Sequence, residues 1–226
     1  MRSLAKWHIW LGWLVGVPIV MWLATGLLMV ARPIEVVRGE HLRSKSPPVA
    51  LVLPGSNLAA PEAKLAEMRV QMQGDRPVAI LTALDGSVRR VDFVSGAALP
   101  PLDAAAAQAL VARAITGGEA VERVTLFPAD RTPFDFRRPL AVWQVALADG
   151  TNVYVGRDTG AIEAVRTRWW RAFDLAWGLH IMDLSEREDT SHPVLIIFAA
   201  LSLTGALIGC ILMFRRRKVR RAAKPL

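Results

Sequence analysis

The sequence predicts an α+β protein in which two transmembrane helices flank a repeated unit of helix plus antiparallel sheet. Three observations predict it. Residues 7–31 and 193–214 contain no Asp, Glu, Lys or Arg. The stretch between them repeats a spaced pair of turn dipeptides at an offset of 64 residues. The net charge of +8 lies in the two ends of the chain.

The uncharged runs are 25 and 22 residues long. A helix rising 1.5 Å per residue needs about 20 apolar residues to cross a ~30 Å hydrocarbon core, so both suffice. A cleaved signal peptide has a shorter apolar region, of about 7–15 residues, and small residues before the cut. Met29 is unsuited to a cut after Ala31, so residues 1–31 read as a cytoplasmic N-terminus and an uncleaved first span. Pro18 inside it removes one helical hydrogen bond and predicts a kink. Gly12 and Gly16 in the first run, and Gly205 and Gly209 in the second, stand four residues apart. Such spacing lets helix backbones approach closely, and these faces predict pairing in a homodimer or with a membrane protein partner.

Charge sets the orientation. Arg2 and Lys6 are the charged residues before position 32, and Arg215, Arg216, Arg217, Lys218, Arg220, Arg221 and Lys224 are those after 214. Basic residues flanking a span stay cytoplasmic, so both termini are expected inside and the central region outside, in the periplasm. The central region holds 19 basic and 20 acidic residues, which argues against a nucleic-acid surface despite a pI of about 10.7. The tail, residues 215–226, is expected on anionic headgroups of the lipid bilayer. Four of the eight Trp lie in the first span, and Trp169, Trp170 and Trp177 precede the second. Indoles favour the headgroup level, so residues 167–192 read as a Trp-rich interfacial segment before the span at 193–214.

In the middle, Asp85-Gly86 is followed after ten residues by Ser95-Gly96, and Asp149-Gly150 by Thr159-Gly160. Arg76-Pro77 and Arg138-Pro139 stand upstream. Each copy predicts a helix first, over 58–68 and over 103–116. Asp103 caps the second and Gly117-Gly118 stops it. Strands follow over 69–73, 78–84 and 87–94, and over 122–127, 140–148, 151–155 and 162–165. Asp-Gly between alternating runs predicts a type I′ hairpin turn. The Pro-rich residues 32–57 read as a linker, leaving units 58–101 and 102–166.

Trp143-Gln144-Val145, Asp149-Gly150, Val153-Tyr154-Val155 and Asp158-Thr159-Gly160 resemble the end of the PepSY domain, a helix packed on an antiparallel sheet. The first copy resembles a degraded form of it. Trp7-His8-Ile9-Trp10-Leu11-Gly12 and Leu179-His180-Ile181-Met182-Asp183 are similar to segments of the PepSY-associated transmembrane family. The resemblance implies an inner-membrane protein acting as a periplasmic binding or regulatory module, with no catalytic centre of its own. Larger relatives include haem-binding ferric-siderophore reductases, so it also implies an alternative: a haem b electron-transfer subunit in iron uptake.

The cofactor candidates under that alternative are His8, His180 and His192, each at a membrane boundary. His8 and His180 are expected about a membrane apart, so one iron would need His180 with His192, or symmetry mates. An interfacial His that snorkels or hydrogen-bonds to headgroups is the simpler reading of each. His41 reads as solvated. Asp183, Glu186, Glu188 and Asp189 read as a solvated linker rather than a cation site. Asp158-Thr159-Gly160 reads as a turn; an aspartic protease needs two such carboxylates, and the first copy has Val94 at that place. Cys210 reads as a small packing residue.

Overall fold

The computed structural model describes residues 2–44 and 64–222, with side chains described over 3–44 and 64–215. The protein is α+β, with two long apolar helices and, between them in sequence, two antiparallel sheets. It divides into two compact units, residues 34–171 and residues 1–33 with 172–226.

The helical unit contains α1 (Arg2–Val30) and α5 (Pro193–Ala222). At 1.5 Å per residue α1 is about 43 Å long, and it stays helical through Pro18. Only 11% of the most apolar stretch of either helix is buried, and Trp13 is 82% exposed. A core helix of a water-soluble protein would bury most of that surface. Both helices are thus long and apolar enough to cross a membrane and display that apolar surface outward. Helix α5 passes residue 214 without a break, so the first basic residues extend the helix beyond its apolar stretch. The amphipathic α4 (Arg168–His180) occupies the segment expected to lie at the interface, and Thr167 Oγ1 accepts from Trp170 N at its start.

The second unit begins with α2 (Ile34–Val37) and a 3₁₀ turn at Glu40–Leu42. Strands β1 (Leu65–Gln73), β2 (Arg76–Ala83), β3 (Val88–Asp92) and β4 (Ala98–Leu99) form one meander. Helix α3 (Ala104–Ala114) follows, then β5 (Val121–Phe127), β6 (Val142–Leu147), β7 (Asn152–Gly156) and β8 (Ile162–Arg166) form another. Asp103 caps α3, its carboxylate accepting from Ala106 N at 2.7 Å.

The repeat is visible in the hydrogen bonds. Ala83 N donates to Ser87 O and Gly86 N to Ala83 O; 64 residues on, Leu147 N donates to Thr151 O and Gly150 N to Leu147 O. Gly96 N to Asp92 O and Gly160 N to Gly156 O match at the same offset. Val78 pairs Asp92 as Val142 pairs Gly156. A register shift interrupts β1 after Leu65 and β5 after Val121, each opposite the end of its partner strand.

Four expectations are corrected. The helix over 58–68 is not formed at its end: β1 starts at Leu65, because Glu67, Arg69, Gln71 and Gln73 alternate with Met68, Val70 and Met72, a period of two. Residues 58–63 lie outside the described residues. The stretch read as a linker from 32 starts with packed structure: Val37 is 1% exposed, Ser44 N donates to Ala114 O, and Arg43 bridges Ile115. Its residues 45–57 lie outside the described residues. The Asp-Gly turns are not type I′, since Gly86 (φ +83°) and Gly150 (φ +81°) have positive φ and the Asp residues do not. Each is a type I turn closed by a left-handed glycine, a three-residue loop. Last, Asp183 is buried rather than solvated.

Both faces of the second sheet are covered. Ala107, Val111 and Ile115 of α3 and its end pack on Val145, Leu147, Val153, Val155 and Val165. Phe136 and Leu140 cover Val142, Tyr154 and Ala164 on the reverse. That explains why Val153-Tyr154-Val155 is buried throughout rather than alternating.

Candidate functional site

His8 and His180 are not brought together. His8 Nδ1 lies 3.1 Å from Gly205 O on α5. A carbonyl cannot donate, so Nδ1 carries the proton there. Gly209 makes the fit possible: a Cβ at that position would lie 2.9 Å from His8 Cε1. His180, at the end of α4, stacks on Trp22 with ring centroids 4.5 Å apart. Its Nδ1 lies 3.1 Å from Thr25 Oγ1 and 3.2 Å from Trp22 O. The Thr25 hydroxyl already donates to Met21 O and Trp22 O, so the His180 proton again sits on Nδ1. Along α1 the two imidazoles are about 21–26 Å apart, counted from residue 8 to residues 22–25 at 1.5 Å each. His192 precedes α5 with its Nδ1 buried and unpartnered. Gly205 and Gly209 thus face α1 of the same chain, whereas nothing lies within 4 Å of a Cβ placed at Gly12 or Gly16.

The acidic run folds on itself. Asp183 accepts from Ser185 N and Oγ, and from the backbone N–H of Glu186, Glu188 and Asp189. The Ser185 hydroxyl first, and those amides with it, hold its carboxyl well below the usual carboxylate range. Arg187 returns to Asp174 of α4, and Trp177 Nε1 donates to Arg187 O. Asp183 is therefore a loop cap, and no group of three metal-ligating side chains occurs among the described residues.

Sequence reasoning missed a cleft in the second unit, between the two repeats. Gln73, at the end of β1, donates from Nε2 to Thr159 O in the β7–β8 turn at 2.8 Å. Arg90 of β3 donates to Gln73 Oε1 at 2.9 Å and to Pro100 O at 2.6 Å. Gly160 (φ +64°) admits this contact, since any side chain there would collide with the Arg90 guanidinium. Trp143 Nε1 donates to Leu102 O and fixes the chain entering α3, which forms the far wall. The cleft so framed has a volume of about 880 Å³. Arg43, Arg76, Arg90 and Arg113 line it, with Asp75 as the carboxylate among the lining residues. Burial lowers the Arg90 pKa against the pull of Asp158.

The chain matches no family model, no curated protein and no solved structure. What the arrangement can do therefore rests on its own chemistry. The Arg76-Pro77 and Thr159-Gly160 dipeptides were the sequence signals near the cleft, and they marked the repeat, not the site.

Proposed function

We propose that the chain is a two-span protein of the bacterial inner membrane that holds a PepSY-like tandem domain in the periplasm as a binding or regulatory module. The observation that carries the reading is the inter-repeat cleft, a framed concavity of the size that takes small ligands. The outward apolar surface of α1 and α5 supports the anchor, and the basic residues beyond them support cytoplasmic termini. A helix laid on an antiparallel sheet that carries Trp143-Gln144-Val145 and Asp149-Gly150 supports the PepSY likeness. The test is a reporter active only in the periplasm. Fused after Ala120 it is active, and fused after Leu226 it is silent; the reverse pattern defeats the orientation and with it the module's placement.

A second reading rests on the imidazoles. With Nδ1 protonated toward a carbonyl, His8 and His180 each leave Nε2 with a lone pair, the arrangement of an oriented metal ligand. Their separation along α1 means that one chain offers one of them to any iron. Haem b held by two histidines would then use His180 with His192, or a second copy, and the open Gly12–Gly16 face is where that copy would pack. Haem would supply one-electron transfer. A Soret band in protein purified from haem-replete membranes, lost in His8→Ala or His180→Ala, is the expected mark; its absence rejects this reading.

A further inference from the structure

We infer that the inter-repeat cleft binds an organic ligand bearing two or more carboxylates on an apolar body. The inference names the ligand class for the site given under the proposed function and rests on that reading. Four arginines line the cleft with Asp75 as the carboxylate in its lining, while Asp158 acts on Arg90 and Asp92 on Arg76 from outside that lining. No ion pair joins any of the four to a carboxylate among the described residues. Arg90 is held by Gln73 and Pro100, so it is preorganised, and its Nε is buried without a partner. Arg76 and Arg113 make no side-chain hydrogen bond among the described residues, and Arg43 makes only a long one, 3.4 Å, to Ile162 O. Guanidinium groups pair with carboxylates in two-point geometry, so several facing one space select a multivalent anion.

The rest of the wall decides which kind. Met72, Leu99, Leu102, Leu110 and Ile162 line the same space. An inorganic anion would leave those side chains against water, whereas a carbon chain between carboxylates covers them. Residues 45–63 link Ser44, whose hydroxyl donates to Arg113 O at the cleft, to the first sheet. They contain one Lys and one Glu, and so add no net charge.

The full chain in lipid nanodiscs is titrated calorimetrically with suberate, an eight-carbon dicarboxylate, with octanoate and with pyrophosphate. Suberate is expected to bind saturably, with octanoate and pyrophosphate each at least tenfold weaker. Arg76→Gln and Arg113→Gln are each expected to weaken suberate about tenfold, the loss of one charge-assisted hydrogen bond. Arg123→Gln, on β5 and outside the cleft, is expected to leave it unchanged. Higher salt is expected to weaken binding. The inference is overturned if suberate gives no saturable heat, if both cleft variants bind as the parent does, or if pyrophosphate equals suberate. Those results leave the reporter pattern of the fusions untouched, so failure here and failure of the membrane reading are told apart.

Discussion

Tyr154→Phe removes one oxygen from the most completely enclosed polar group of the second sheet. The Tyr154 side chain is fully buried; its hydroxyl donates to Asp135 Oδ1 at 2.5 Å and accepts from Gln144 Nε2 at 2.6 Å. Phe keeps the ring, which packs on Phe136 at 5.0 Å, so the substitution isolates the hydroxyl. A hydrogen bond to a charged partner contributes about 1.5–3 kcal/mol, and a buried donor left unpaired costs about 1–3 kcal/mol. These overlap, since Asp135 keeps Asn152 at 3.4 Å, so the expected loss is about 2–4 kcal/mol. For a chain of this size that is roughly 4–16 °C in Tm. Near-UV circular dichroism of the full chain in detergent measures it. Adding Gln144→Leu to Tyr154→Phe removes the stranded donor and should recover part of the loss. Burial, and then Asp135, push the Tyr154 pKa above its ordinary value of 10. A raised folded pKa means that the contribution is complete below pH 10 and fades as pH rises beyond it. The parent should therefore lose its margin over Tyr154→Phe only in strong alkali. A Tm drop below about 2 °C, or a margin that vanishes near neutral pH, would refute the network as drawn.

Other outcomes follow from the same geometry. Gly209→Val should loosen α1 from α5, because its Cβ meets the His8 ring at 2.9 Å, and His8→Ala in the same chain should restore at least half of the lost Tm. Gly86→Ala places a Cβ at φ +83° in open space and should cost about 1–2 kcal/mol by thermal melting. Gly150→Ala, its repeat partner, should cost more, because that Cβ also meets the Arg168 guanidinium. Asp183→Asn should lower Tm by an amount constant above pH 5 and shrinking as pH falls through and below 3.8, because a depressed folded pKa gives stability that is present above the unfolded value and lost in acid. Trypsin should also cut after Arg187 faster in Asp183→Ala, whose loop amides have lost their acceptor.

The sequence carried the large features because each is written in a local signal. An uncharged run of 25 residues needs no tertiary partner to be read as a candidate span, and Asp103 marks the start of α3 by its own chemistry. The misread helix over 58–68 shows the limit. Leu65, Ala66, Glu67 and Met68 are acceptable in a helix, and what makes the first and last two of them strand is pairing with Leu81, Thr82 and Ala83, distant in sequence. Val37 likewise looks like linker until its burial is seen. The histidines were found by position, yet their partners were not, since the Gly209 contact to His8 joins residues about 200 apart.

The cleft was invisible for a different reason. Composition makes the central region neutral, and a neutral average suggests that no charged surface exists. Folding sorts the charges instead. Asp85 and Asp92 accept from Ser87 and Ser95 in their own turns, Asp149 from Thr151, and Asp103 from the amide it caps. Asp135 sits under Tyr154, and Glu163 takes both Arg138 and Thr159. Each of these carboxylates is committed to backbone or neighbour geometry, and none of them forms an ion pair with Arg43, Arg76, Arg90 or Arg113 among the described residues, although Asp92 acts on Arg76 at longer range. Those arginines come from four separate elements, and nothing in their spacing would group them. A balanced count of charges thus hides a local surplus, created because acids here serve turns and caps while the arginines are left facing a shared space. The basic residues of the two ends are grouped in sequence, whereas the arginines of the cleft are grouped only by the fold.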